Sequence, residues 1–354
     1  MSRLYLGNFS FEQGSDPAFQ VPQTIRRFEA ELASVWWSVA ETGDAILCLD
    51  LIPESDRQRL NALAGQQIEV LHPEQVAPGR FRELVPWGWT QAARQLAARW
   101  KIPVSAPEDA IIWQANSRVT ALEIARQLDC ALPDETVIAS LIELMPRLQA
   151  VCRTHSGWIL KPEFGQAGRG HLRGKEPFLS EAQLATLIHL FSKGTRFTLE
   201  PLLLPMAEIS GQWKIDVDGT AQLIGITKLI ADEQGRYRAT GTNLVEIEAA
   251  ARENIVQKQL QAVQILARQG YRGPVGIDAM LCREGSSVPI RPIQDINARW
   301  TMGRLGWEWG QRLRQQGTWV HASNVEGPAL AMSPETVGGI PCRCRTWWVS
   351  GVGQ

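Results

Sequence analysis

From residue 208 to 217 apolar and polar side chains alternate in one phase: Ile209, Trp213, Ile215 and Val217 against Glu208, Ser210, Gln212, Lys214 and Asp216. A period of two is the pattern of a strand with one buried and one wet face. Asp218-Gly219 follows at once, a pair suited to the positive φ of a tight hairpin turn, and residues 221–230 bring the chain back. A chain with this hairpin at its centre must build an antiparallel sheet. Segments with helical spacing lie on both sides to cover it, at 181–191 and 246–268, the second ending before Gly270.

The first part of the chain has a different rhythm. Short apolar strands at 3–6, 45–49 and 68–71 alternate with helical patterns at 25–39 and 89–100. That order predicts a small, mostly parallel α/β lobe. Ser117 is a fitting N-cap for a helix over 119–128. Leu132-Pro133-Asp134-Glu135-Thr136 reads as the start of a helix over 137–145, with Pro146 near its end. A glycine-bearing β segment spans 158–173 and a strand 196–204. Two more strands are centred on Asp278 and Asp295, with a turn at 284–287 between them. One helix (304–315) and two short strands are expected in the tail. Neither an internal repeat nor a low-complexity linker interrupts the pattern, and 354 residues suffice for two or three packed lobes.

Composition removes several classes of function. The formal net charge of −1 offers no basic excess for nucleic acid. No apolar run approaches the ~18 residues that would cross a bilayer, and the first residues lack a signal-peptide core. The six cysteines are scattered apart from Cys342 and Cys344, which fits reduced thiols and a cytoplasmic location better than a disulfide frame or a zinc site. Fourteen tryptophans are many for this length. Core and inter-lobe packing is the expected use of them, with an aromatic substrate wall as the alternative.

The residues that bear chemistry fall into two groups. Asp295, Asn297 and Arg299 are spaced by two and so share one face of a strand, and Asp278 lies on a predicted neighbour. Hard oxygen ligands from adjacent strands suit Mg²⁺, which takes one or two carboxylates together with phosphate oxygens and water. A structural Asp–Arg pair is the rival reading. The second group begins with Lys161-Pro162 at the end of a strand. Gly165, Gly168 and Gly170 follow, with Arg169 among them. Their backbone N–H groups can face an anion, or the segment is a plain turn; it is not a Walker A loop. Glu200, ahead of Leu202, is either part of a strand edge that holds a planar base or a buried carboxylate paired with a lysine. Glu208 suits a ribose hydroxyl or a metal-bound phosphate, or a solvated edge. Lys228 lies on the returning strand of the central hairpin, near phosphate or at the surface.

In this order the pieces resemble the ATP-grasp superfamily. The resemblance covers nearly the whole chain, through 102–107, Asn116-Ser117-Arg118, Leu160-Lys161-Pro162, the 165–170 loop, Leu199-Glu200-Pro201, Glu208, Asp278 and Asp295-Ile296-Asn297-Ala298-Arg299. It implies an N-terminal parallel α/β lobe (1–115). An ATP-grasp domain (116–354) follows, made of two α+β lobes with mainly antiparallel sheets that clamp ATP: 116–204 with a mobile glycine-rich flap, and 205–354 with the metal- and phosphate-binding sheet. It implies roles residue by residue. Lys161 meets the α-phosphate and adenine side of ATP, and the flap covers the β- and γ-phosphates. Glu200 and the backbone through Leu202 hold adenine, and Glu208 holds ribose. Asp278, Asp295 and Asn297 coordinate Mg²⁺, and Arg299 steadies the transferred phosphoryl group. Arg118 stands where many members have lysine, and keeps the charge in a planar fork. Asp278 and Asp295 stand for what are often glutamates.

The activity so implied is an ADP-forming carboxylate–amine ligase that works through an acyl phosphate. A carboxylase, a phosphotransferase and a non-catalytic ATP-binding module are the alternatives. The expected partners are a small carboxylate and an amine, with an amino acid or a glutamate-bearing molecule as candidates for Arg236 and Arg238 to recognise, although both also fit solvated loop charges. A homodimer is the default assembly.

Overall fold

A computed structural model describes residues 2–15, 21–165, 170–233, 235–244, 247–282 and 290–351. The short apolar runs of the first part form β1 (Arg3–Leu6), β2 (Ala45–Leu47), β3 (Glu69–Leu71) and β4 (Glu83–Pro86), with helices α1 (Gln23–Leu32), α2 (Glu54–Ala64) and α3 (Gln91–Arg99) between and after them. All three pairings are parallel, in the order β3-β2-β1-β4. The helical pattern expected over 25–39 splits. After Leu32 the chain tightens into a 3₁₀ segment, Ala33–Ser38, in which all six residues are buried; such segments commonly finish helices.

Helices α4 (Asp109–Ala115) and α5 (Arg118–Gln127) lead into the second sheet. Ser117 caps α5 as its sequence suggests, its Oγ accepting from the Thr120 N–H at 3.4 Å. The helix expected over 137–145 is displaced. Thr136–Ile138 is strand β5, whose three residues are all β-branched and so suit a pleated sheet, and helix α6 runs over Leu141–Thr154. Ser140 caps it, and Pro146 lies inside it, held by the buried Leu144, Leu148 and Val151. Strands β6 (Trp158–Pro162) and β7 (Leu172–Gly174), helix α7 (Glu181–Ser192) and strand β8 (Phe197–Pro201) complete an antiparallel sheet in the order β5-β8-β6-β7. This lobe has its own core, which includes Ile138, Leu148, Trp158, Leu160, Phe197 and Leu199.

The central hairpin forms as predicted: β9 (Pro205–Ile215) turns through Asp218-Gly219 into β10 (Ala221–Ala231). Gly219 has φ +91°, which explains glycine there. Then come β11 (Tyr237–Gly241), α8 (Ala249–Arg268), β12 (Gly273–Cys282), β13 (Ile290–Asn297) and α9 (Met302–Leu313). The turn expected at 284–287 lies outside the described residues. The tail has more strands than expected: β14 (Gly317–Ala322), β15 (Leu330–Ala331), β16 (Thr336–Val337), β17 (Ile340–Pro341) and β18 (Arg345–Ser350). Among the described residues the large sheet runs β13-β12-β9-β10-β11-β14-β18-β15.

The N-terminal lobe does not keep its interior to itself. Tyr5, Phe9 and Trp36 belong to the same buried cluster as Trp213, Ile277 and Trp309 from the large sheet and α9. Among the described residues eight tryptophans are fully buried, including Trp36, Trp37, Trp213, Trp309, Trp319 and Trp348, so packing is the main use of this residue type. No helix among the described residues is long and apolar enough to cross a membrane.

Candidate active site

The floor of the site is the β9–β12–β13 part of the large sheet. Asp278 on β12 stands opposite Asp295 on β13 and Ser210 on β9. The β12–β13 register slips between Asp278 and Met280, beside Pro292, which has no N–H to give to a ladder. Irregularities of this kind re-aim side chains next to active sites. Asn297 Nδ2 donates to Asp278 Oδ2 at 3.2 Å, and the Arg299 guanidinium donates to Asn297 Oδ1 at 3.0 Å. Strand β13 ends at Asn297, so Arg299 sits past the strand and reaches back to the row. It is buried, ion-paired with Glu12 from the N-terminal lobe, and its guanidinium carbon lies 5.6 Å from the Trp87 ring centroid.

Arg118, the first residue of α5, donates to Asp295 Oδ2 through Nε at 3.2 Å and Nη2 at 3.0 Å. The same guanidinium donates to the carbonyls of Pro162 (2.6 Å) and Gly165 (3.4 Å). It therefore ties the acidic row to the strand end that carries Lys161. Lys161 is buried on β6, and its Nζ donates to Glu200 Oε2 at 2.8 Å. Glu200, on β8, also accepts from Arg291 Nη1 at 2.6 Å, and Arg291 pairs with Glu135 as well. Burial opposes ionisation of Glu200, but Arg291 and Lys161 outweigh it and hold the carboxyl down at about 2. Glu135 stays on the raised side because burial and the Glu200 charge outweigh Arg291. Of the two readings open for the Glu200 side chain, the lysine pair is the one observed. The Leu202 N–H, just beyond β8, donates to Gly157 O at 2.9 Å.

Glu208 on β9 accepts from Gln294 Nε2 at 3.2 Å. Lys228 on β10 lies opposite Ile209 and Gly241. Gly165 and Gly170 flank the glycine segment, Gly170 with φ +77°; Gly168 and Arg169 lie outside the described residues. His171 follows, and neither ring nitrogen has a hydrogen-bond partner among the described residues. Burial and the charges of Arg118 and Lys161 push its pKa down to about 3, so it is a neutral imidazole beside the glycine segment.

A cavity of about 380 Å³ opens next to this row, with Asp278, Asn297 and Arg299 on its wall and Lys228 beside them. A second, of about 450 Å³, lies along β4 and meets Trp87 and Arg299 from another side.

Asp278 tests whether a cation belongs here. Burial, with Asp295 and Glu208 nearby, pushes its pKa up to about 7. The buried carboxyl is thus costly to ionise unless a cation lies against it, and a divalent ion would supply that charge. No three His, Cys, Asp or Glu side chains among the described residues are placed to hold a metal unaided.

Sequence reasoning missed Arg291, Glu135, Glu12 and His171. Arg291 had one visible signal, a charge set between Ile290 and Pro292-Ile293.

A parallel N-terminal lobe, a small antiparallel lobe bearing Lys161 and the glycine segment, and a large antiparallel sheet bearing the Asp–Asn–Arg row together form the ATP-grasp fold. Solved structures of similar shape include N5-carboxyaminoimidazole ribonucleotide synthetase from Thermus thermophilus, at TM-score 0.58 and 16% identity over 100% of this chain and 94% of that one. An ADP complex of an enzyme of the same name matches at TM-score 0.60 and 12% identity, over 99% and 92%. The biotin carboxylase domain of Hydrogenobacter thermophilus 2-oxoglutarate carboxylase, in complex with MgADP, ADP and bicarbonate, matches at 0.59 and 10%, over 99% and 86%. At such identities the likeness is one of fold. No protein-family model and no curated protein matches the sequence.

Proposed function

We propose that the protein is an ATP- and Mg²⁺-dependent ligase that activates a carboxylate as an acyl phosphate and joins it to an amine. The observation that carries this reading is the Asp278–Asn297–Arg299 row, joined to Asp295 and Arg118 and opening on a cavity large enough for a small substrate. Bound MgADP in a neighbour of the same fold supports the nucleotide. The coarser statement, an ATP-using enzyme with small-molecule substrates, would hold equally for a carboxylase. Bicarbonate in that neighbour makes a carboxylase the second reading.

In the proposed reaction a substrate carboxylate oxygen attacks the γ-phosphorus, the bond to the β–γ bridging oxygen breaks, and ADP leaves. The amine nitrogen then adds to the acyl carbon, inorganic phosphate leaves, and the nitrogen loses a proton. Arg299 faces the charge that develops on the transferred group, and a fixed cation in a dry site stabilises it without reorganisation. Lys161, aligned by Glu200, faces the α-phosphate. The strand end at Glu200 and the backbone through Leu202 receive adenine, and Glu208 the ribose. Gly165 and Gly170 border the glycine segment that in this reading would exclude water from the acyl phosphate, while Arg118 and Lys228 add positive charge. Asp278, Asp295 and Asn297 would hold Mg²⁺, which neutralises phosphate charge when bound.

ADP release tested with Mg²⁺ against pools of amino acids, carboxylic acids and bicarbonate, with mass analysis of the product, separates the two readings. An amide product supports the ligase. A carboxylated acceptor that forms only when bicarbonate is present supports the carboxylase, and no ADP above background with any pool rejects both.

Two further results are expected. Asp295→Asn removes a metal charge and half of the Arg118 pair, so half-saturation should need several-fold more Mg²⁺; an unchanged magnesium titration would exclude Asp295 from the ligand set. The second concerns pH. Folded Asp278 keeps its proton to about pH 7, against an ordinary value of 3.8. Between these values the folded chain binds more protons than the unfolded one, so metal-free stability falls as pH rises through that window. Mg²⁺ must displace the proton, so MgADP binding should tighten by roughly tenfold per unit up to about pH 7 and then level off. Calorimetry across pH 5–8 would show this in the natural protein, and a flat profile in Asp278→Asn.

A further inference from the structure

The walls of the 380 Å³ cavity differ in chemistry. One comes from the N-terminal lobe: Phe9 just after β1, Phe28 and Leu32 on α1, and Trp87 just after β4. β1 and β4 are neighbours, and from β1 the sheet order runs to β2 on one side and to β4 on the other. This is where the strand order reverses, and the crevice beyond the carboxyl ends of strands at such a point is the usual ligand seat of an open parallel sheet. Phe9 and Trp87 pack edge to face, with centroids 4.9 Å apart, so this wall is apolar and its rings are held in place.

The opposite wall belongs to the large sheet. Tyr237 and His321 contribute rings in edge contact, with centroids 5.1 Å apart. Burial pushes the His321 pKa down to about 3, so that ring adds no charge. Arg236 and Arg238, half-exposed and both paired with Asp232, stand with Lys228 toward the rim. Among the described residues four cationic side chains line the cavity, including Arg299, against one carboxylate, Asp278. A cation-rich entrance draws anions. An interior faced by rings on two sides rewards a flat apolar body, since aromatic pairs add to the stabilisation from buried area, while an aliphatic dicarboxylate would leave a second charge against Phe9, Phe28 and Trp87.

We propose that this cavity selects an aromatic carboxylate as the substrate to be activated, its carboxylate at Arg299 and its ring between the Phe28–Trp87 wall and the Tyr237–His321 wall. The proposal rests on the ligase reading for the location of the reacting end, and adds the class of acid.

Calorimetric titration of the full chain with phenylacetate and indole-3-acetate, against acetate and succinate, tests it directly in the presence of MgADP. The aromatic acids should bind at least tenfold more tightly than either aliphatic acid. Phe28→Ala should reduce that preference by fivefold or more with MgADP binding unchanged. Arg238→Gln, at an exposed position that threatens the fold little, should weaken phenylacetate by about threefold, as loss of a rim charge would. Equal binding of succinate and phenylacetate, or a Phe28→Ala protein that binds MgADP and keeps the full aromatic preference, overturns the assignment. If MgADP binds while no aromatic acid does, the substrate class fails and the nucleotide reading stands. If MgADP does not bind, the ligase reading fails first.

Discussion

Replacing Arg299 with alanine is expected to lower turnover by about 10²–10³, the usual cost of removing one charged partner of a transition state. The side chain is placed for that size of effect. It is buried, fixed by Asn297 Oδ1 and Glu12, and lies over Trp87, so in the proposed role it would meet developing charge with little rearrangement. The loss should appear in kcat more than in the KM for ATP, because an interaction made chiefly in the transition state leaves ground-state binding alone. ADP release under saturating nucleotide checks it, and near-normal turnover would contradict the assigned role. Arg299→Lys should recover only part of the rate, since an ammonium cannot reproduce the fork.

The largest effect on stability is expected from Arg291→Met. Arg291 is buried between Glu200 and Glu135, which are buried in turn. Removing one partner of a buried ion pair strands the others, at about 3–5 kcal/mol. Here two carboxylates would be left with Lys161 as the nearby cation. Urea unfolding at neutral pH measures the loss. Adding Glu135→Gln to Arg291→Met should return part of it, because one stranded charge is then gone. A single variant as stable as the natural protein would show that the network contributes little.

What could be read from the sequence was whatever depends on short spacing. The central hairpin, the Ser117 cap and the Asp295–Asn297 row rest on offsets of one to three residues, and the structure contains all three. The strand at Thr136–Ile138 was hidden because residues 132–136 resemble a helix start and Pro146 resembles a helix end, whereas Ser140 sets the true start. The charge network around Glu200 was beyond reach for another reason. Arg291 is 91 residues from Glu200 and 156 from Glu135, and no local pattern announces a partner at that distance. Glu12 and Arg299 are brought together from nearly opposite ends of the chain, by the packing of the first lobe onto the last sheet.

That packing divides the molecule unequally. The largest buried cluster joins the first lobe to the large sheet, while the strands and helices around Lys161 keep a separate one. A body with a self-sufficient interior can swing as a unit, and α5 and β13 reach it through the guanidinium groups of Arg118 and Arg291. Opening and closing of the cleft would then exchange polar contacts and the Trp113–Phe164 ring contact, and leave each greasy interior intact. Charge supplied by an arriving nucleotide would be well suited to drive that exchange.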